Sequence, residues 1–180
     1  MALNYCDAPL NDHTLVQCGN YAKGGISAYA TLTEDHGITD FTSQSEWEAA
    51  IAAGEVKVVK QVKMNYPDAS AITGPNPVGG ETADVTDGYT HTFTGNDYNA
   101  LADNDEFYEQ LNARKTYIAW YMPKSNTIQV NVVDAVSWNC TPFIPEGASE
   151  RQGYTVNATW ESDVDVLPTR VTAPTGIFTV

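Results

Sequence analysis

Apolar and polar residues alternate with a period of two through several stretches of this chain. Residues 153–162 are the clearest case: Tyr154, Val156, Ala158 and Trp160 fall on one face, and Thr155, Asn157, Thr159 and Glu161 on the other. Successive side chains of a strand point to opposite faces, so this is a β-strand with one buried and one wet side. Tyr89, His91 and Phe93 alternate in the same way with Thr90, Thr92 and Thr94. Val56, Val58, Val62 and Met64 line up on one face against Lys57, Gln61 and Lys63 on the other. Lys60 interrupts the apolar face, which suggests an edge strand or a contact between subunits. Ile26 to Leu32 predicts a first strand. Thr116 to Met122 is apolar on both faces and belongs in the middle of a sheet. The turn from Pro123 to Asn126 leads into a hairpin partner over 127–134, and a further strand is expected near 136–140.

Two segments have the period of a helix instead. Ser43 with Glu46 three residues on makes a capping box, Trp47, Ala50 and Ile51 form an apolar stripe, and Gly54 is the stop. A second helix is predicted over 105–113, capped by Asp103 or Asn104, with Phe107 and Leu111 as its buried pair. Residues 1–25 show no sustained period and read as an N-terminal arm, and 26–167 as a single β-rich domain. Pro67, Gly74, Pro75, Pro77, Gly79 and Gly80 predict a long loop over 67–88, pinched by a short strand near 81–85. Loops of that length in compact domains are commonly functional. Pro168 and Pro174 set off a C-terminal arm, 168–180, whose apolar end Ile177 and Phe178 is suited to docking on a partner subunit. The expected fold class is mainly β: an antiparallel β-sandwich or barrel-like domain with one or two short flanking helices, a long loop and terminal arms.

Composition narrows the function more than the fold. A chain of 180 residues supports one core without staples, and 42% apolar with only 18% charged residues describes a globular domain. The charge is lopsided, 23 acidic against 9 basic residues, or −14. Phosphate binding draws on Lys and Arg, so a conventional reader of DNA or RNA is disfavoured, whereas a surface past which DNA slides is compatible. The first residues lack the basic and apolar regions of a signal peptide, and no run reaches the ~18 apolar residues of a membrane span. Cys6, Cys18 and Cys140 cannot all pair within one chain and read as reduced thiols of a protein made inside the cell.

Candidate chemistry is sparse. His13, His36 and His91 stand apart from one another and from any cysteine at metal-ligand spacing, and His91 reads as a satisfied, partly buried histidine. The acids of 103–106 and of Asp163 and Asp165 lack the glycine and distal glutamate of a calcium loop. No nucleophile elbow and no glycine-rich phosphate loop is present, so no catalytic residue, cofactor or metal is expected. Trp47 and Trp160 lie on core faces, while Trp120 and Trp138 are open to two readings, core packing or an exposed sugar-binding platform.

From Ile26 onward, the order of elements resembles the tail tube proteins of tailed bacteriophages. The stretches that carry the resemblance are 41–51, 89–95, the 104–111 helix with 116–121, and 153–160. The resemblance implies a structural virion protein without catalytic residues. It implies subunits that close into a ring, six in the usual form, and rings that stack through the long loop and the arms around a channel through which DNA passes without specific binding. Partners are then copies of the same chain and other virion proteins, with no membrane. The location is the virion after synthesis in the host cytoplasm. Lys57, Lys60, Lys63, Pro75, Pro77, Ile177 and Phe178 are the residues expected at subunit contacts. The alternatives are a capsid decoration or auxiliary protein and, from a different class, a carbohydrate-binding or adhesin module with Trp120 or Trp138 exposed.

Overall fold

The computed structural model describes residues 25–75, 84–98, 104–144, 152–165 and 168–179. Eight strands and two helices follow in the order β1 (Ile26–Leu32), α1 (Gln44–Ala53), β2 (Val56–Asn65), β3 (Ser70–Pro75), β4 (Asp84–Asp97), α2 (Asp105–Asn112), β5 (Lys115–Met122), β6 (Thr127–Phe143), β7 (Gly153–Ser162) and β8 (Thr169–Thr172). The antiparallel order β2-β1-β5-β6-β7-β4 returns to β2 through a β2–β4 pairing, so six strands close into a barrel. β3 hangs on the outer edge of β4, and β8 on the first part of β6.

Strand alternation sorts the side chains into an interior and an exterior. Tyr29 from β1, Phe93 from β4, Trp120 from β5, Trp138 from β6 and Trp160 from β7 meet inside. An indole N–H buried there needs an acceptor. Trp120 donates to Gln129 Oε1 at 2.9 Å and Trp138 to Thr116 Oγ1 at 2.8 Å, both across neighbouring strands. Helix α2 contributes Tyr108 and Leu111 to this core, and Phe107, expected in the buried pair, packs only partly buried against it. Its last residue ties down to β6: Asn112 Nδ2 donates to the Cys140 carbonyl at 2.9 Å, and Cys140 N–H donates to Asn112 Oδ1 at 2.7 Å.

A second core lies on the outer side of β1, β5, the start of β2 and the start of β6. Ala28, Ala30 and Ala119 keep that wall low, so that Trp47 of α1 and Phe178 of the C-terminal segment come down onto it. α1 begins at Ser43, whose Oγ accepts from Glu46 N–H at 3.5 Å, and ends at Gly54 in the left-handed conformation. The expected capping box is only half formed. The Glu46 carboxylate turns away to accept the N–H groups of Thr39 at 2.6 Å and Asp40 at 2.9 Å, closing the preceding turn. Ile51, expected on the buried stripe, is 36% exposed.

Three expectations change. Val56, Val58, Val62 and Met64 do not share a face. Gln61 adopts φ 61° and the β1–β2 register slips between Ala28 and Ile26, so a bulge leaves Val56 and Val58 outside while Val62 and Met64 point inward. The two strands expected near 127–134 and 136–140 are one, β6, which bulges instead of breaking. Two paired strands stand at the ends of the segment 67–88, where a loop was expected: β3 pairs with the first part of β4 from Ser70↔Thr90 to Pro75↔Asp84, and the two form an arm. Residues 76–83, Pro77 among them, and the N-terminal arm apart from Gly25 lie outside the described residues.

Candidate functional site

The residues expected at subunit contacts scatter over the barrel. Ile177 and Phe178 do not reach outward. Phe178 is 2% exposed, with its ring 5.1 Å from Trp47 edge-on and 5.7 Å from Tyr121, and Ile177 lies in the same cluster. The segment 168–179 therefore completes this chain's own outer core, and these two residues are corrected to core residues. Lys60 serves the same end, its Nζ donating to the Thr179 carbonyl at 2.8 Å. The bulge at Gln61 turns Lys60 to the outer side, which is why a lysine interrupts an otherwise apolar strand. Lys63 is exposed and stands opposite Asn96 at the seam where β2 meets β4. Pro75 ends β3 on the β3–β4 arm. Lys57, exposed, lines a cleft of about 350 Å³ between β2 and α2 together with Phe107, Tyr108 and Asp97.

Two strand surfaces among the described residues are open to partners. The first is the β3–β4 arm, in which β3 is bonded to β4 on one side only, so its other edge presents ladder groups without a strand partner among the described residues. The second is the outer face of β4, β7 and the end of β6. Thr90, Thr92, Thr94 and Asn96 stand beside Glu161, Thr159, Asn157 and Thr155, and these beside Ser137, Asn139 and Thr141. All are half-buried or exposed and none joins an apolar cluster. Thr94 Oγ1 donates to Asn157 Oδ1 and Thr155 Oγ1 to Asn96 Oδ1, the latter at 3.3 Å, so the array is cross-linked by its own polar groups. At its margin, Thr90, Ser137, Thr159, Lys115 and Glu161 surround a shallow depression of about 350 Å³.

Among the described residues, His91, Tyr108, Tyr154 and Cys140 are engaged in structure. His91, 1% exposed, lies parallel to Trp160 at 5.2 Å, with Nδ1 2.7 Å from Tyr66 Oη and Nε2 2.6 Å from Ser162 Oγ. A neutral ring protonated at Nε2 satisfies the whole chain: Tyr66 donates to Nδ1, Nε2–H donates to Ser162, and Ser162 donates to the Val164 carbonyl at 2.7 Å. Ser162 is thus a relay that ties β7 to β4. The reading of His91 as a satisfied histidine holds, and it is buried rather than partly so. Tyr108 donates to the buried carboxylate of Asp97, and Tyr154 to Asp105, a bond that holds the Tyr154 phenol up at about 12. Burial pushes the Cys140 thiol to about 12 as well, so it is not a nucleophile at neutral pH. Trp120 and Trp138 are 0% and 6% exposed, so neither forms the exposed platform that the carbohydrate-binding alternative requires. Among the described residues, no three of His, Cys, Asp and Glu come together as metal ligands, and no helix is long and apolar enough to cross a membrane. Sequence reasoning missed the β3–β4 arm and the β6 bulge. The alternation of Thr with aromatic residues over 89–94 was the available signal for a strand that begins earlier.

Compared with models of protein families, with curated proteins and with solved structures, the chain matches none.

Proposed function

We propose that this chain is a structural virion protein of a tailed bacteriophage, a tail tube subunit that assembles into stacked rings around a channel for DNA. The observation that carries the reading is β3: it hangs on β4 outside the six-strand closure, with one edge that has no strand partner among the described residues. An open edge invites aggregation in a monomer and is satisfied when a neighbouring chain adds a strand to it. The cross-linked hydroxyl and amide face of β4, β7 and β6 supports the same reading. Its body is uncharged, with Lys115 and Lys63 only at its margins and Glu161 beside Lys115, so a DNA backbone meeting it finds little counter-charge to release ions against. The net charge of −14 acts in the same direction.

Negative-stain microscopy with light scattering on the full chain, over a range of concentrations, tests the proposal. Rings or hollow tubes are the expected result. A particle that stays monomeric at every concentration overturns it and favours a decoration protein that orders only on its capsid.

A further inference from the structure

Cations are scarce in this chain, yet three of its nine, Lys57, Arg114 and Lys115, line a groove beside α2. Its upper part, about 150 Å³, runs between α2 and the ends of β1, β2 and β5. Phe107 and Leu111 form an apolar floor there, and the exposed Lys57, Arg114 and Lys115 stand around it. Phe107 and Lys57 continue into the lower cleft. Two acids, Glu55 above and Asp97 below, sit in the same groove and leave it with an excess of positive charge.

Across the β5–β6 pairing from the groove's Thr116, the chain builds a shape with the opposite character. Between Asn131 and Val136, β6 spends five steps where β5 spends two, from Ile118 to Thr116. The surplus forms a rigid bulge. Asn131, 5% exposed, accepts the N–H groups of Val133 at 3.3 Å and Asp134 at 3.2 Å, and donates to the Asp134 carbonyl at 3.1 Å. The clamp holds Val133 outward, 84% exposed, where it shares a rim with Val164, 54% exposed. Asp134, Asp163 and Asp165 surround the two valines in sequence. Bulges re-aim side chains and recur next to functional sites, and this one presents two exposed valines side by side on one rim.

We infer that this acidic, valine-tipped knob of one copy docks in the cationic groove of the next. The inference rests on the assembly reading above and names the surfaces that would join. The knob supplies apolar tips with aspartates next to them in the chain, and the groove an apolar floor with cations around it, so charge and hydrophobic burial favour the same pose. Two different patches of one chain make a head-to-tail contact, which propagates into a closed ring when the rotation allows it.

The test is a charge exchange in the full chain. The groove variant carries Lys57→Glu, Arg114→Glu and Lys115→Glu, and the knob variant Asp134→Lys, Asp163→Lys and Asp165→Lys. Sedimentation velocity and negative-stain microscopy read assembly, and circular dichroism confirms the fold of each. Wild type is expected to assemble, more weakly as salt is added. Each variant alone should need about tenfold more protein or beyond to do so. An equimolar mixture of the two variants should assemble near the wild-type concentration, because each exchanged knob then meets an oppositely charged groove. Val133→Asp, at a site already in water, should weaken assembly with the melting temperature unchanged. If wild type assembles and all variants match it, the knob and groove are not the joint, and the assembly reading stands without them. If wild type remains a monomer at every concentration, both fall.

Discussion

The barrel has two outer sides, and the same strand, β6, contributes to each. Its first part turns Ile128 and Val130 outward beneath the chain's own C-terminal segment, and its last part turns Ser137, Asn139 and Thr141 outward with the polar face of β7. On the first side the wall is built low with alanines and then covered by Trp47, Ile177 and Phe178. On the second it is built of hydroxyls and amides that bond to one another. The difference shows that alternation alone does not say which side of a barrel strand will be wet. Both sectors alternate, and what distinguishes them is whether the outward set is small and apolar or short and polar. One side is finished by the chain itself, while the other meets whatever surrounds it.

The contrast can be broken most severely from the covered side. Phe178→Ala removes a ring packed on Trp47 and Tyr121 and should cost about 3–5 kcal/mol in urea denaturation. A loss within about 0.5 kcal/mol, the range of an ordinary surface site, would mean that the segment does not sit on the barrel in solution.

Closure of the barrel comes next. A Cβ at Gly95 would collide with the Lys63 carbonyl and lie 2.6 Å from Met64 Cα, both backbone. Gly95→Ala should therefore cost about 1–3 kcal/mol and speed amide exchange at the β2–β4 seam ahead of other pairings. Uniform exchange across the barrel in this variant would count against the seam as its closing joint.

Acid distinguishes the two sides more gently. Burial lowers the pKa of the His36 imidazole from its ordinary 6.5, against the opposing pull of Glu55, while its Nδ1 accepts the Ile38 N–H at 3.0 Å. A base with a lowered folded pKa gives stability that is complete above its ordinary value and is lost as pH falls through the folded one. Glu46 follows at lower pH. The N–H groups of Asp40 and Thr39 hold its carboxyl below the usual 4.5, so its contribution is present above that value and disappears beneath it. Both groups belong to the loop and helix of the covered side. The melting temperature of wild type should fall between pH 7 and 5, and His36→Gln should lose that first decline while keeping the later one. An unchanged profile in the variant would assign the decline elsewhere.

The smallest effect belongs to the polar face. Thr92→Val, in the middle of the array, should change stability by no more than about 0.5 kcal/mol, as at a surface position. A loss of 2 kcal/mol or so would show that the hydroxyl array is structural in the monomer.

Much of this architecture was legible in the residues. β1, β5, β7, α1 and the turn over 123–126 follow from periodicity and caps, because each is regular from end to end. What escaped was irregularity inside elements. No glycine marks the bulge at Gln61, so Val56 and Met64 kept a common parity in sequence that they lose in space. Asn131 likewise looks like any polar strand residue until its partners at Val133 and Asp134 are seen. The tail's apolar end announced that it would be buried, but periodicity carries no information on whose barrel receives it. The expected contacts at Lys57 and Lys60 part company for the same reason. The bulge between β1 and β2 sends Lys60 to Thr179, and Lys57 is left on the groove.

The closing seam has a mechanical meaning. β4 is joined to β7 across nine register pairs, from Tyr89 to Asp97, but to β2 across four, from Val62 to Asn65. A hoop stitched so unevenly has a designated place to part. Under load transmitted around its circumference, the short seam would yield first, and the long stitch would hold the tryptophan-filled half intact for reclosure.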